Sequence, residues 1–250
     1  MEHIDRRFNQ TQYCYALEDL ETIEVAKRYG AHVFDLFRPY IGRRVLEVGC
    51  GIGTMSRKLT GVADVVVGIE PNPNCVDRVV ATMLGDPKFA LRTCHLEECD
   101  PAELAVHRFD TVYCVNVLEH IHDDVAALQM FRDVIVPWGR ILIFVPAVQR
   151  AYGPLDAELG HHRRYSRRTL SRAFADAGLK LEMLRYTNPI GLLGWMYNSR
   201  ITKARAHSIE QVKLFERFVA PWALPLERLI VPPIGLSLMA VGVSAASARP

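Results

Sequence analysis

The chain reads as an α/β protein on a doubly wound, mostly parallel sheet, and three observations lead there. Short apolar runs alternate with segments of helical periodicity from about residue 44 to residue 186. The runs Val65-Val66-Val67-Gly68-Ile69 and Gly139-Arg140-Ile141-Leu142-Ile143-Phe144-Val145 have the length and branching of buried strands. The first run, Arg44–Val48, feeds straight into a glycine-rich turn and then a helix, as strand–turn–helix units with ligand-binding turns do.

Each element has its own signal. Residues 10–40 carry Leu17, Leu20, Val25, Ala26, Tyr29, Val33, Phe34 and Phe37 at roughly helical spacing, and Pro39 and Gly42 end that region. After the first strand, Thr54–Leu59 is predicted helical, Asp64–Ile69 a strand, Asn74–Leu84 a helix and Phe89–Cys94 a strand. Asp110–Val115 is the fourth strand. Asp123 is placed to cap a helix running to about Val134, and Gly139–Val145 is the fifth strand. Ser166 caps a helix with Leu170, Ala173, Phe174 and Ala177, which Gly178 stops, and Leu179–Tyr186 alternates as a half-buried strand. Residues 187–230 are irregular and aromatic and read as helices inserted before a last strand over Leu236–Val243. The expected layout is one domain: helices over 1–42, a core over 43–186, the insertion over 187–230 and the terminal strand within 231–250.

Composition removes several function classes. With 250 residues, half of them hydrophobic, there is enough chain for one large core with an elaborated cap. A formal charge of +2 offers no basic face for nucleic acid. Cys14, Cys50, Cys75, Cys94, Cys99 and Cys114 form no C-x-x-C pair, and no histidines bracket them at ligand spacing, so free thiols in a reducing compartment are expected. The polar start carries no apolar signal region, so a cytoplasmic location is expected. Leu229–Ala248 is uncharged and long enough to span a bilayer. Pro232, Pro233, Gly235 and Gly242 interrupt it, and no stable membrane insertion is expected.

The most informative segment is Glu47-Val48-Gly49-Cys50-Gly51-Ile52-Gly53-Thr54. A dinucleotide turn, G-x-G-x-x-G, would need glycine where Thr54 stands, which argues against a nicotinamide-dependent oxidoreductase. The spacing is E-x-G-x-G-x-G. Glu70 closes the second strand 23 residues after Glu47, where a carboxylate can accept both hydroxyls of a ribose. In these residues the chain resembles class I S-adenosylmethionine-dependent methyltransferases. The resemblance continues through Asn116-Val117-Leu118-Glu119-His120-Ile121, the strand end Phe144-Val145-Pro146-Ala147 and the closing Pro232-Pro233-Ile234-Gly235-Leu236 run. The loop Asp156–Tyr165 is similar to a D-x-x-L-G-H-x-R-R-Y signature of a bacterial branch of these enzymes.

The resemblance implies a Rossmann-like sheet of seven strands and S-adenosylmethionine as cofactor, leaving as S-adenosylhomocysteine. It implies a cofactor site of Glu47, Gly49, Cys50, Gly51, Gly53, Glu70, Pro71, Leu96 and Asn116, with Tyr29 reaching in from the N-terminal helices and Tyr13 and Tyr15 beside it. Glu47 would answer the cofactor's ammonium. His95 stands where relatives often place an adenine-binding Asp, which leaves Leu96 to serve the adenine edge.

Methyl transfer is an in-line displacement that needs alignment and, for a hydroxyl acceptor, a base. His120, His161 and His162 are the expected bases, and Tyr152, Asp156, Arg164 and Tyr165 the expected acceptor contacts. The basic run through Arg168 can attract an anionic acceptor, although such runs more often start a solvated helix. Glu119 and His120 echo an acid–His pair that holds a divalent ion in some ubiquinone-type O-methyltransferases. Asn116 stands where another acid would help, and no metal is expected. The expected partner is a small-molecule methyl acceptor, with O-methylation ahead of N- or C-methylation, or of another S-adenosylmethionine reaction on a natural product, sugar or lipid. The insertion offers a contact for a homodimer.

Overall fold

A computed structural model describes residues 20–22, 24–83, 85–203 and 208–244; Cys14, Leu17, Tyr13 and Tyr15 lie outside these. Seven strands form one sheet: β1 (Arg44–Val48), β2 (Val65–Ile69), β3 (Phe89–Arg92), β4 (Phe109–Val115), β5 (Ile135–Pro146), β6 (Leu179–Thr187) and β7 (Ser237–Ser244). Their order across the sheet is β3-β2-β1-β4-β5-β7-β6. The first five run parallel, and β7 lies antiparallel between β5 and β6. The strands at the centre read as uninterrupted apolar runs because helices cover both faces. Val45, Leu46, Val66, Val112, Ile141, Leu142 and Ile143 are all fully buried.

The chain starts at β1, winds outward through β2 to β3, then returns to β4 on the other side of β1. That reversal leaves a crevice outside the carboxyl ends of β1 and β4, where ligands bind in open α/β sheets. Helices α1 (Lys27–Phe37), α2 (Ser56–Leu59), α3 (Pro73–Met83), α4 (Pro101–Ala105), α5 (Asp124–Val134), α6 (Pro154–Glu158) and α7 (Arg167–Asp176) flank the sheet. The cap residues act as read from sequence. Asp123 accepts from the Ala126 N–H, Ser166 accepts from the Thr169 N–H, and Gly178 leaves α7 at φ +73°.

Some boundaries differ from those expected. β3 stops at Arg92, two residues short of Cys94, and α2 begins at Ser56 instead of Thr54. β5 begins at Ile135, four residues before Gly139. Its pairing with β4 jumps from Phe109↔Ile135 to Thr111↔Arg140, so Pro137, Trp138 (φ +65°) and Gly139 bulge out of the ladder. Pro and Gly there resemble a loop, and only the pairing shows the strand passing through them.

The segment between β6 and β7 is helical: α8 (Pro189–Tyr197), a π-helical turn (Asn198–Thr202), α9 (Ile209–Leu214), a second π-helical turn (Phe215–Val219) and α10 (Ala220–Leu229). It lies over the crevice and is tied down by a buried polar knot. Glu227 bonds His32 Nε2 of α1 at 3.2 Å and accepts the Asn188 N–H at 2.7 Å. No helix among the described residues is long and apolar enough to cross a membrane.

Candidate active site

The crevice is one continuous cleft of about 1240 Å³, walled by the carboxyl ends of β1, β2, β4 and β5 and roofed by α1 and the 189–219 segment. That is more room than one cofactor-sized ligand occupies in ordinary pockets of roughly 300–1,000 Å³.

At the β1–β2 end the backbone builds the wall. Gly49 (φ +70°) and Gly51 (φ +55°) hold conformations that side chains with a Cβ rarely adopt, and both line the cleft. A Cβ on Gly49 would lie 2.3 Å from Val117 Cγ2, so this turn admits only glycine. Gly53 (φ +81°) turns away and packs on Val79 and Met83 of α3; it shapes the turn without facing the cleft. The Gly49 and Cys50 N–H groups donate to the Ile69 carbonyl at 2.8 and 3.1 Å, which draws the turn against the end of β2.

Glu70 sits at that end, buried. Its carboxylate accepts the Gly51 N–H at 2.7 Å and the Asn72 N–H at 2.9 Å. Each oxygen keeps a further acceptor position. Burial raises the Glu70 pKa despite these two bonds. Glu47, also buried, accepts from Ser56 Oγ at 2.6 Å, and burial pushes its carboxyl up to about 8. Pro71, Cys50, Leu96 and Asn116 line the same stretch of cleft. Asn116 (φ +54°) leaves β4 in the left-handed region, which Asn tolerates, and its N–H donates to the Phe144 carbonyl at 2.8 Å. His95 forms the cap of the short turn at Leu96–Glu98, with Leu96 buried beside it.

At the β4–β5 end, side chains build the wall. Asp156, with no exposed surface, accepts from Arg164 Nε at 2.8 Å and lies 2.8 Å from His161 Nδ1. Burial pushes the Asp156 carboxyl up, but the bonds from His161 and Arg164 outweigh it and hold the group below its ordinary range. His161 and Arg164 line the cleft; Asp156 stands behind them. The Arg164 guanidinium also stacks 4.2 Å from the Trp195 ring of α8, joining the loop to the roof. His120 packs edge-on against His161, ring centres 4.7 Å apart, and burial drives its pKa down to about 3.

Glu119, Tyr113, Phe144 and Tyr29 complete this region. Neither oxygen of the fully buried Glu119 has a hydrogen-bond partner among the described residues, and burial raises its carboxyl to about 7. Single donor atoms of Glu119, His120 and His161 fall within 4.8 Å of one another, a spacing that a divalent cation can bridge. Tyr29 holds its ring edge-on to Phe215, 6.2 Å between centres, and burial raises its phenol to about 12.

Besides Asp156, an expected acceptor contact that stands behind the wall, three residues expected in the acceptor pocket are elsewhere. His162 is exposed and pairs edge-on with His122, because its own N–H is spent on the Glu119 carbonyl and turns the ring outward. Tyr165 is buried in the main core, its hydroxyl donating to Asp124 at 2.8 Å, because the Ala147↔Tyr165 bridge adds it to the sheet edge. Tyr152 donates to the His161 carbonyl at 2.7 Å and braces the loop from outside the cleft. The basic run is likewise structural: Arg163 pairs with Asp124 at 3.0 Å and Arg167 lies over the Tyr186 ring. Trp195, Phe215 and Phe218 belong to the aromatic insertion, whose composition suggests a lidded, partly greasy pocket, but which of its residues face the cleft, and that Asn188 joins them, is given only by the structure. Trp195 faces the Arg164 end of the loop and Phe215 faces Tyr29, and no local periodicity in the sequence gives those orientations.

The profile of the methyltransferase-domain family matches residues 7–184. The chain belongs to that family. Among curated relatives, human mitochondrial ubiquinone biosynthesis O-methyltransferase is 31% identical over 110 residues, 42% of this chain and 29% of that protein. Phosphoethanolamine N-methyltransferase 1 of Triticum aestivum is 33% identical over 107 residues, 41% of this chain and 20% of its own length. A tRNA U34 carboxymethyltransferase of Trichlorobacter lovleyi is 35% identical over 109 residues, 42% of this chain and 33% of its own. The methyltransferase therefore matches well under two thirds of the length of these relatives.

The fold is shared more widely. A Haloferax volcanii methyltransferase solved with the Trm112 activator superposes with a TM-score of 0.64 at 14% identity, over 95% of this chain and 97% of that one. Magnesium protoporphyrin IX methyltransferase of Synechocystis PCC 6803, solved with S-adenosylhomocysteine, superposes at 0.55 and 13% identity, over 90% and 86%. The sequence resemblance implies S-adenosylmethionine as the cofactor. The cleft fits it: Gly49 and Gly51 form its wall with backbone alone, and Glu70 offers the acceptors a ribose diol needs.

Proposed function

We propose that the methyltransferase carries out O-methylation of a small-molecule hydroxyl with His161 as general base. The observation that carries this reading is the 2.8 Å contact between His161 Nδ1 and the buried Asp156. An imidazole donating Nδ1–H to a fixed carboxylate is held in the tautomer whose Nε2 lone pair is free, the arrangement by which a base is oriented in hydrolase triads. Arg164, bonded to the same carboxylate, keeps Asp156 ionised and in place.

S-adenosylmethionine supplies an electrophilic methyl on a sulfonium whose departure needs no acid. Gly49, Gly51, Glu70, Pro71, Leu96 and Asn116 would hold it, with Glu47 answering its ammonium and Tyr29 closing over it. The remaining work falls to the chain. The β4–β5 wall aligns the acceptor oxygen, His161 Nε2 takes the hydroxyl proton, and Asp156 stabilises the imidazolium that forms. The roof of α8 and the 209–219 segment excludes water from the apolar half of the cleft. His120, kept neutral by burial, serves as a fixed packing partner of His161 instead of as the base.

The unpartnered Glu119 oxygens favour one second reading, in which Glu119, His120 and His161 share a divalent cation that binds the acceptor oxygen. Labelled-methyl transfer to a panel of hydroxyl and amine acceptors, with wild type and His161→Ala and with and without EDTA, tests both. Transfer to amines alone, or full activity of His161→Ala on hydroxyls, would sink the O-methylation reading.

A further inference from the structure

Sixteen large hydrophobic residues are exposed among the described residues, and thirteen of them fall between Leu193 and Ile234. They do not scatter. Leu214, Phe218, Trp222, Leu226 and Ile230 recur every four residues along the outer face of the continuous α9–α10 helix, with Leu229 beside them at 84% exposure. A monomeric surface rarely concentrates apolar side chains this way unless something covers them.

Charge narrows what covers them. Arg200, Lys203, Lys213 and Arg217 are exposed on the same segment, against Glu210 as its exposed acid. Glu216 accepts the Arg28 and Tyr29 N–H groups, and Glu227 is buried with His32. An apolar stripe flanked by cations suits the interface of an anionic bilayer, and Trp222 has the ring and exposed position favoured there. The helices lie along the surface, and no helix among the described residues is long and apolar enough to cross a membrane.

The stripe is also continuous with the cleft. Leu193, Leu214 and Phe218 are each more than half exposed and each lines the cleft, so its mouth opens through the apolar face. A second copy of the chain seated there would close that mouth, whereas a bilayer would deliver an acceptor through it. We infer that the outer face of residues 193–203 and 208–234 docks peripherally on an anionic membrane surface, and that the acceptor is an amphiphile drawn from that membrane, its apolar part held under the roof and its hydroxyl presented to His161. The acceptor half rests on the reading of the cleft as an O-methylation site.

The test is co-sedimentation of the full chain with vesicles of phosphatidylcholine alone or mixed with phosphatidylglycerol, with S-adenosylhomocysteine binding measured on the same samples. Wild type should pellet with the mixed vesicles, release at high salt, and stay in solution with phosphatidylcholine alone. Trp222→Asp/Leu229→Asp lies outside the cleft. It should lose vesicle binding by about tenfold or more while keeping cofactor affinity. Lys213→Gln/Arg217→Gln should cost roughly fivefold for each charge removed. Wild type that ignores anionic vesicles while binding S-adenosylhomocysteine overturns the docking and leaves the methyltransferase reading intact. Loss of methyl transfer to every hydroxyl with docking preserved overturns the acceptor reading alone. A stable dimer in vesicle-free solution that Trp222→Asp/Leu229→Asp dissociates would assign the face to a second copy and overturn the proposal.

Discussion

The two ends of the cleft are built by different means. At the β1–β2 end the ligand surface is mostly backbone: glycines at positive φ, N–H groups aimed at the end of β2, and one carboxylate held by two of them. At the β4–β5 end it is a relay of side chains, Arg164 to Asp156 to His161, assembled from a loop and roofed by helices far along the chain. A backbone surface tolerates few substitutions but serves any member of the family that binds the same nucleoside. A side-chain surface can be rewritten without touching the fold, and the proposed function puts acceptor choice there.

The comparison predicts a hierarchy of effects. Gly51→Val should abolish S-adenosylhomocysteine binding by calorimetry, a loss of more than about a hundredfold, because a branched side chain at φ +55° is strained and presses on Leu20 at the cleft wall, displacing the turn. Wild-type affinity in that variant would mean the backbone wall is not the cofactor site. His161→Ala should lower kcat by about 10²–10⁴ while leaving cofactor affinity within about twofold. It is a better probe than Asp156→Ala, which would strand the buried Arg164 charge and cost roughly 3–5 kcal/mol of stability. A matching rise in the cofactor Kd of His161→Ala would show that the two ends are not separable.

Glu70→Ala should weaken cofactor binding by about ten- to a hundredfold, the cost of one or two charge-assisted hydrogen bonds, and isothermal titration reads it directly. Glu47 adds a pH signature. Its folded pKa of about 8 lies above its ordinary 4.5, so the free protein favours the protonated form. Its contribution to stability is complete below about pH 4.5 and is lost as pH rises toward 8. Glu47→Gln should therefore raise the Tm of the free protein at pH 8 by a few degrees while weakening cofactor binding, and it should flatten the Tm between pH 5 and 8. A variant less stable than wild type at pH 8 would contradict the buried, neutral carboxyl. The smallest effect is expected from chelation: EDTA should leave turnover unchanged. Loss of turnover restored by a divalent ion would reassign Glu119, His120 and His161 as its ligands.

The sequence alone determined the winding of the sheet, the caps at Asp123 and Ser166, the glycine turn and the carboxylate at Glu70. Each depends on interactions within a few residues, on strand or helix periodicity, or on a backbone angle that only glycine takes easily. Tertiary structure alone decided which residues of the 152–166 loop face the cleft. A loop has no period from which orientation can be read. The Ala147↔Tyr165 bridge sends Tyr165 into the core, and a backbone bond to Glu119 turns His162 outward while His161 points in. The same holds for the roof, where Trp195 lies against Arg164 of the loop and Phe215 against Tyr29 of α1, contacts between distant parts of the chain that no local pattern encodes.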